Sequence, residues 1–345
     1  MILKTINFST GPVEIEENVN NALSAPPISH RSQEFVELYH NIVDTLCEQV
    51  KVEQTYILQG TGTLANDVMI WQIKSLSGRG IVLSNGEFGD RLIDQCSRNS
   101  LKYSEYKINW GEEFNLQELE SLIYSTHADW IFFCHCETST GIINDLDGIV
   151  LLSNNHGLKC YVDCVSTIGN RPLDLSNITM ATASSGKGLG SIPGLALVFS
   201  NDEIKLNQSI PKYFDLSFYS KKNGVPFTVS SNLLQALIVS INHRLHESHW
   251  AQCAHYSQKI SESLKSCEVI PFANGDSRVF TIVPNDLKSE IIGERLYKNH
   301  IYLSYQSDYL LKRNWLQLAL FGTYNDEQIN YAIEKLIFEF CPSAH

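Results

Sequence analysis

An α/β fold with a mainly parallel sheet between helices is predicted by three observations. Short β-rich runs alternate with segments of helical periodicity, and the groups that could carry chemistry fall just after those runs. The third observation is length: 345 residues exceed the ~250–300 at which single cores usually stop growing. A large domain over 1–245, including the N-terminal segment, and a smaller C-terminal α+β domain over 246–345 are therefore expected.

The elements follow in order. Phe35, Leu38, Ile42, Val43 and Leu46 share one helical face; Tyr56-Ile57-Leu58 then reads as a short strand and 64–75 as a helix. Ile81-Val82-Leu83 is a strand, Asn115 with Glu118 three positions on has the form of a capping box, and 131–134 is a strand again. Lys159-Cys160-Tyr161-Val162-Asp163 reads as a buried strand ending in a carboxylate. Leu233, Leu234, Leu237, Ile238, Ile241 and Leu245 line one face of a long helix that leaves the large domain. Beyond it, strands at 278–283, 301–304 and 315–320 and helices near 287–299 and 326–340 build the second domain. In a parallel α/β sheet ligands bind at the strands' C-terminal edge, where Gly60, His135, Asp163 and Lys187 all fall.

Composition excludes several functions. A formal charge of −12 argues against general affinity for nucleic acid or anionic membrane. No segment approaches the ~20 consecutive apolar residues of a membrane span. Met1-Ile2-Leu3-Lys4 lacks the apolar stretch of a signal peptide, so a soluble cytoplasmic protein is expected. The nine cysteines form no C-x-x-C pair and read as reduced thiols; Cys134-His135-Cys136 lacks metal-site spacing, and no metal is expected.

The chemistry centres on Ser184-Ser185-Gly186-Lys187-Gly188-Leu189-Gly190. Small neighbours let a lysine enter a crowded pocket, and burial there depresses its pKa towards the free amine that a Schiff base requires. With the acid at the end of the preceding strand, Asp163, these are the two groups that a pyridoxal phosphate site needs. Gly60-Thr61-Gly62-Thr63, between a strand and a helix, offers amides and a hydroxyl to an anion at a helix N-terminus. The same residues satisfy the G-x-G-x-x-A dinucleotide fingerprint, so a nicotinamide dehydrogenase stands as a remote alternative. That reading wants the motif on the first strand and an acid ending the second, whereas Ile81-Val82-Leu83 runs into Ser84-Asn85.

The chain resembles the class V aminotransferases of pyridoxal-phosphate fold type I, most of all the branch with 2-aminoethylphosphonate:pyruvate and alanine:glyoxylate (serine:pyruvate) aminotransferases. The matching words run collinearly: Phe8-Ser9-Thr10-Gly11-Pro12-Val13, Ser29-His30-Arg31-Ser32, Gln59-Gly60-Thr61-Gly62-Thr63, Asn85-Gly86-Glu87-Phe88-Gly89-Asp90-Arg91, His135-Cys136-Glu137-Thr138-Ser139-Thr140-Gly141, Asp163-Cys164-Val165-Ser166, the lysine segment, and Phe227-Thr228. The last third matches only in outline.

The resemblance implies a dimeric aminotransferase using pyridoxal 5'-phosphate, with an amine donor, a 2-oxo-acid acceptor and a ping-pong cycle through a Schiff base at Lys187. It implies that Asp163 pairs with the pyridinium nitrogen, Phe88 stacks on the ring, and Thr138 lies near the phenolic oxygen. Gly62 and Thr63 hold the phosphate, Thr228 reaches it from the neighbouring subunit of a homodimer, and Gly11 lines the substrate side. His135 and Glu137 read more readily as structural, and Arg91 as an ion-pair partner. Two positions depart from the pattern. Gly186 stands where relatives often place a polar side chain on the phosphate, and Gln317 where the branch carries the arginine for the substrate carboxylate. Arg313 and Arg31 are the candidates to replace that arginine. The rival readings are a class V lyase or desulfurase-like enzyme, which would need a catalytic cysteine among Cys253, Cys267 and Cys341, and a cofactor-fold protein that binds without catalysis.

Overall fold

The computed structural model describes residues 5–76, 78–265, 277–284 and 287–340; Met1 to Lys4, Cys267 and Cys341 lie outside them. In chain order, β1 (Ile6–Asn7), α1 (Glu17–Leu23) and α2 (Gln33–Val50) lead into a strict alternation. This runs β2 (Gln54–Gly60), α3 (Gly62–Ser75), β3 (Arg79–Ser84), α4 (Glu87–Arg98), β4 (Lys102–Lys107), α5 (Leu116–Thr126) and β5 (Trp130–Cys134). A small hairpin of β6 (Cys136–Glu137) and β7 (Ile142–Ile143) precedes α6 (Leu146–Asn155), β8 (Lys159–Asp163), β9 (Met180–Ser184) and β10 (Gly194–Ser200). After α7 (Leu216–Ser220) and α8 (Ser231–Arg244) come α9 (Glu247–Lys265), β11 (Val279–Ile282), α10 (Ser289–Lys298), β12 (Ile301–Tyr302), α11 (Asp308–Arg313), β13 (Leu316–Ala319) and α12 (Asp326–Phe340).

Seven strands form the main sheet in the order β2-β10-β9-β8-β5-β3-β4, parallel except for β10, which runs antiparallel to both neighbours. Its central strands are apolar on both faces because helices cover both. Ile42, Leu46, Leu119, Ile149, Leu234 and Leu237 close one face, and Val68, Met69, Leu92 and Leu216 the other. The edge strand β4, Lys-Tyr-Ser-Glu-Tyr-Lys, carries no apolar run and escapes hydrophobic pattern reading; its charges suit an unpaired sheet edge. Asn115 caps α5 as its position predicts, accepting from the N–H groups of Gln117 and Glu118. Glu118 does not reciprocate as a capping box would; its carboxylate accepts from the Tyr106 hydroxyl at 2.9 Å.

A second core gathers Tyr256, Ile260, Leu264, Phe280, Leu296, Leu318 and Leu336. The residues of α8 pack in the first core and those of α9 in the second. The N-terminal segment departs from that division: Ile6 and Phe8 are buried in the second core, and β1 pairs in parallel with β12. Alternate side chains of a strand face one way, and both apolar residues here face the smaller lobe.

Candidate active site

Register brings the chemistry to one edge. Asp163 ends β8 opposite Cys134 of β5 and Thr182 of β9, and Gly60 ends β2 opposite Gly194 of β10. Lys187 follows β9 in a tight loop closed by a bond from the Gly190 N–H to its own carbonyl at 2.8 Å. There a cavity of about 650 Å³ opens, lined by Gly11, Gly62, Thr63, Phe88, Thr138, Asp163 and Lys187 among others. These seven residues, all singled out from sequence, thus meet in one place.

The Lys187 ammonium is pushed below its usual pKa by burial, partly offset by the negative charge of Asp163. Its Nζ donates to Ser166 Oγ at 3.2 Å, and Ser166 shares a 2.7 Å hydrogen bond with Thr138 Oγ1. Asp163 is shifted the opposite way: burial raises its pKa, against bonds from Asn66 and from the Val165 N–H and the pull of Lys187. The amide of Asn66 donates to Asp163 Oδ2 at 2.7 Å, and the Thr182 hydroxyl donates to Asn66 Oδ1 at 2.6 Å. Neither Asn66 nor Thr182 was legible as a site residue. The available signal was a buried asparagine amid the apolar positions of α3, where an unpaired amide is costly.

Phe88 opens the first turn of α4, with Lys187 Nζ 4.8 Å from its ring centroid. Its N–H and that of Gly89 donate to the Glu137 carboxylate at 3.2 and 2.9 Å, so Glu137 caps α4 from a distant strand. Opposite, α3 begins at Gly62 with no side chain capping it. A Cβ at Gly62 would stand 2.9 Å from Val165 Cγ1, so glycine lets the helix end come close to Val165. His135 faces elsewhere, towards a separate cavity of about 920 Å³ shared with Arg171. Burial and Arg171 lower its pKa to about 3, and it shares a 3.2 Å hydrogen bond with Thr167, which makes it a neutral structural residue.

Four candidates, Thr228, Arg31, Arg313 and Gln317, do not line the first cavity. Thr228 and Arg31 are exposed. Arg313 is exposed too, its guanidinium 3.7 Å from the Trp110 ring centroid and 5.0 Å from that of Trp315. Gln317 is fully buried and its amide is spent: Nε2 donates to the Thr138 carbonyl at 2.6 Å and to Thr281 Oγ1 at 2.9 Å, while Oε1 accepts from the Tyr309 hydroxyl at 2.7 Å. Tyr309 itself lines the cavity, a residue that sequence reading missed. At Gly186 a Cβ would meet Pro193 Cγ at 2.8 Å, which explains why no larger side chain stands before the lysine. Arg91 pairs with Glu87 at 3.0 Å, as expected, and also lines the cavity.

The donor set fits pyridoxal phosphate. An amine pushed towards neutrality and an acid held by fixed donors share a cavity with an aromatic ring and an uncapped helix N-terminus, which favours a phosphate. A dinucleotide site fits less well, because β2 is a sheet-edge strand and β3 ends in Ser84 rather than an acid.

This fold is that of the pyridoxal-phosphate enzymes of fold type I. Within that class the chain belongs to the class V aminotransferase family, whose model, "Aminotransferase class-V", matches residues 14–213. It is 32% identical over 252 residues to a protein named soluble hydrogenase, small subunit, from a Synechococcus species, covering 68% of this chain and 65% of that one. It is 27% identical over 309 residues to the L-aspartate–glyoxylate aminotransferase of Paracoccus denitrificans, covering 83% and 78% of the two. Among solved structures, an alanine–glyoxylate aminotransferase from a Nostoc species superposes with a TM-score of 0.88 at 22% identity over 98% of this chain and 96% of that one, a likeness of fold.

Proposed function

We propose that this chain is a pyridoxal-phosphate-dependent aminotransferase, moving an amino group from a small amine or amino acid to a 2-oxo acid. The observation that carries the reading is the pairing of Lys187 and Asp163 across one cavity with opposite pKa shifts. The cofactor supplies, when bound, an aldehyde to take the amino group and a ring to draw electrons from the substrate carbon. The protein's part is proton traffic and positioning. Lys187 Nζ, its pKa lowered by burial, would take the proton from the substrate's amine-bearing carbon and release it again as the amino group moves. Asp163, its oxygens fixed by Asn66 and Val165, would hold the ring nitrogen and favour its protonated form. Ser166 and Thr138 steer the Lys187 amine, Phe88 supports the ring, and Gly62 and Thr63 receive the phosphate.

The aminotransferase relative and this donor set favour amino transfer over the lyase reading. Cys253 is buried in α9, its Sγ 3.5 Å from His249 Nε2, and does not line the cavity. The seven free cysteines of the described residues suit a reducing cytosol. The test is direct. Purified protein should show visible absorbance that borohydride bleaches, with the reduced adduct mapping to the Lys187 peptide, and a panel of amines should convert it to the aminated form. Protein that stays colourless after loading with the cofactor would sink the reading.

A further inference from the structure

We infer that Arg91 holds the substrate's carboxylate, so that the site takes a short-chain 2-oxo acid or amino acid through a guanidinium on α4. The inference deepens the aminotransferase reading and rests on it. Its starting point is a census of charge: Lys187 and Arg91 are the only basic side chains lining the cavity among the described residues. Lys187 is committed to the proton transfer. Gln317 has no donor left and does not line the cavity, and Arg313 is stacked on Trp110 outside it. An anionic group entering this cavity therefore meets one cation besides the lysine, Arg91, whose ion pair with Glu87 uses a single nitrogen.

Geometry suits that role. The Arg91 guanidinium carbon lies 5.0 Å from the centroid of the Phe88 ring, and Lys187 Nζ lies 4.8 Å from the same point. The two cations thus stand within about 10 Å of each other around one aromatic ring, a distance reached by a small substrate with its reacting carbon at the lysine. The ion pair with Glu87 engages Nε alone, and the terminal nitrogens have no hydrogen-bond partner among the described residues. Those nitrogens are the pair that forks onto a carboxylate. Asp94, which also lines the cavity, pairs with Arg98 at 2.6 Å.

The experiment compares wild type with Arg91→Gln and Arg91→Lys. Pyruvate and glyoxylate are the acceptors, and propionate is an unreactive carboxylate whose binding is read from the cofactor's absorbance. Arg91→Gln should raise the KM for both oxo acids and weaken propionate binding by about tenfold or more, the loss of one charge-assisted contact. Its kcat should change little and its cofactor content should match wild type; Arg91→Lys should recover part of the affinity. Wild-type KM and propionate affinity in Arg91→Gln would overturn the inference. A variant that loses cofactor, yet binds propionate normally once reloaded, would overturn it by assigning Arg91 to the phosphate. If wild type itself takes up cofactor but aminates no oxo acid, the aminotransferase reading falls first and this inference with it.

Discussion

Asp163 is held more tightly than its position at a strand end requires. The Thr182 hydroxyl orients Asn66 so that its amine points at Oδ2, while the Val165 N–H donates to Oδ1 at 2.9 Å. Both oxygens are thus fixed as acceptors. In Asp163→Asn the new amide has one oxygen for two donors, so its own N–H groups must face another donor. A buried donor left unmade costs about 1–3 kcal/mol. The variant should keep its cofactor on Lys187, lose stability of that order in urea unfolding, and lose turnover by about a hundredfold, the lower range for a positioned acid–base group. Near-normal turnover would refute the role given to Asp163. This residue was legible because strand, acid and lysine loop are each contiguous in sequence. Asn66, Thr182 and Tyr309 were not, since they reach the site only when separate elements pack. Gln317 shows both sides of that limit: the missing arginine was visible at once, whereas the three bonds that lock the glutamine depend on Thr138, Thr281 and Tyr309, all distant or on another element.

Among the elements, α4, which brings Phe88 and Arg91 to the cavity, gave the weakest signal. Its N-cap is Gly86, which has no side chain to accept from the first turn, and it lacks a local capping motif. The cap arrives from Glu137 of β6, whose carboxylate accepts from the Phe88, Gly89 and Ser139 N–H groups. Gly86 permits that approach: a Cβ there would lie 2.4 Å from Glu137 Cγ. A carboxylate beside a helix N-terminus is also favoured by the helix dipole, although burial raises its pKa. Removing it in Glu137→Ala orphans several buried donors at about 1–3 kcal/mol each, so a fall of about 3 kcal/mol or more in urea-derived stability is expected. Because Phe88 is one of those donors, cofactor affinity should fall in parallel, while Glu137→Gln, which keeps one acceptor oxygen, should be milder on both counts. A Glu137→Ala protein with wild-type unfolding and cofactor binding would show that α4 is set by other contacts. The small-domain strands and α12 were legible because each pairs an apolar run with a clear period. The N-terminal β1 was not, because its partner β12 lies at the far end of the chain.

At the scale of the molecule, the two lobes meet around a buried arginine. Arg244, at the end of α8, donates to the Phe321 carbonyl at 2.6 Å and lies 3.6 Å from Glu16, which also accepts from Thr323 at 2.6 Å. This junction ties the N-terminal segment and the small lobe to the large one, with Gly190 of the lysine loop packed against the guanidinium. Assembly is the remaining step, and Thr228 bears on it. It is exposed, does not line its own cavity, and lies beside Phe227, which stacks on the exposed Tyr213 at a centroid distance of 4.9 Å. A threonine so placed cannot hold the phosphate of its own subunit, so the role that the family resemblance gives it requires a second copy of the chain. We predict a homodimer in which Thr228 completes the partner's site. Thr228→Val should then weaken cofactor binding by about 10- to 100-fold, the worth of a hydrogen bond to a charged group. Lys187→Ala should be inactive outright. After the two variants exchange subunits, half of the dimers pair one of each, and each hybrid contains one site with both Lys187 and Thr228 intact. At limiting cofactor, where Thr228→Val is itself nearly silent, the mixture should recover about a quarter of wild-type activity, as a two-fold dimer with shared sites demands. If differently tagged subunits demonstrably exchange and activity stays at the sum of the parents, or if the protein sediments as a fully active monomer, the shared site is wrong.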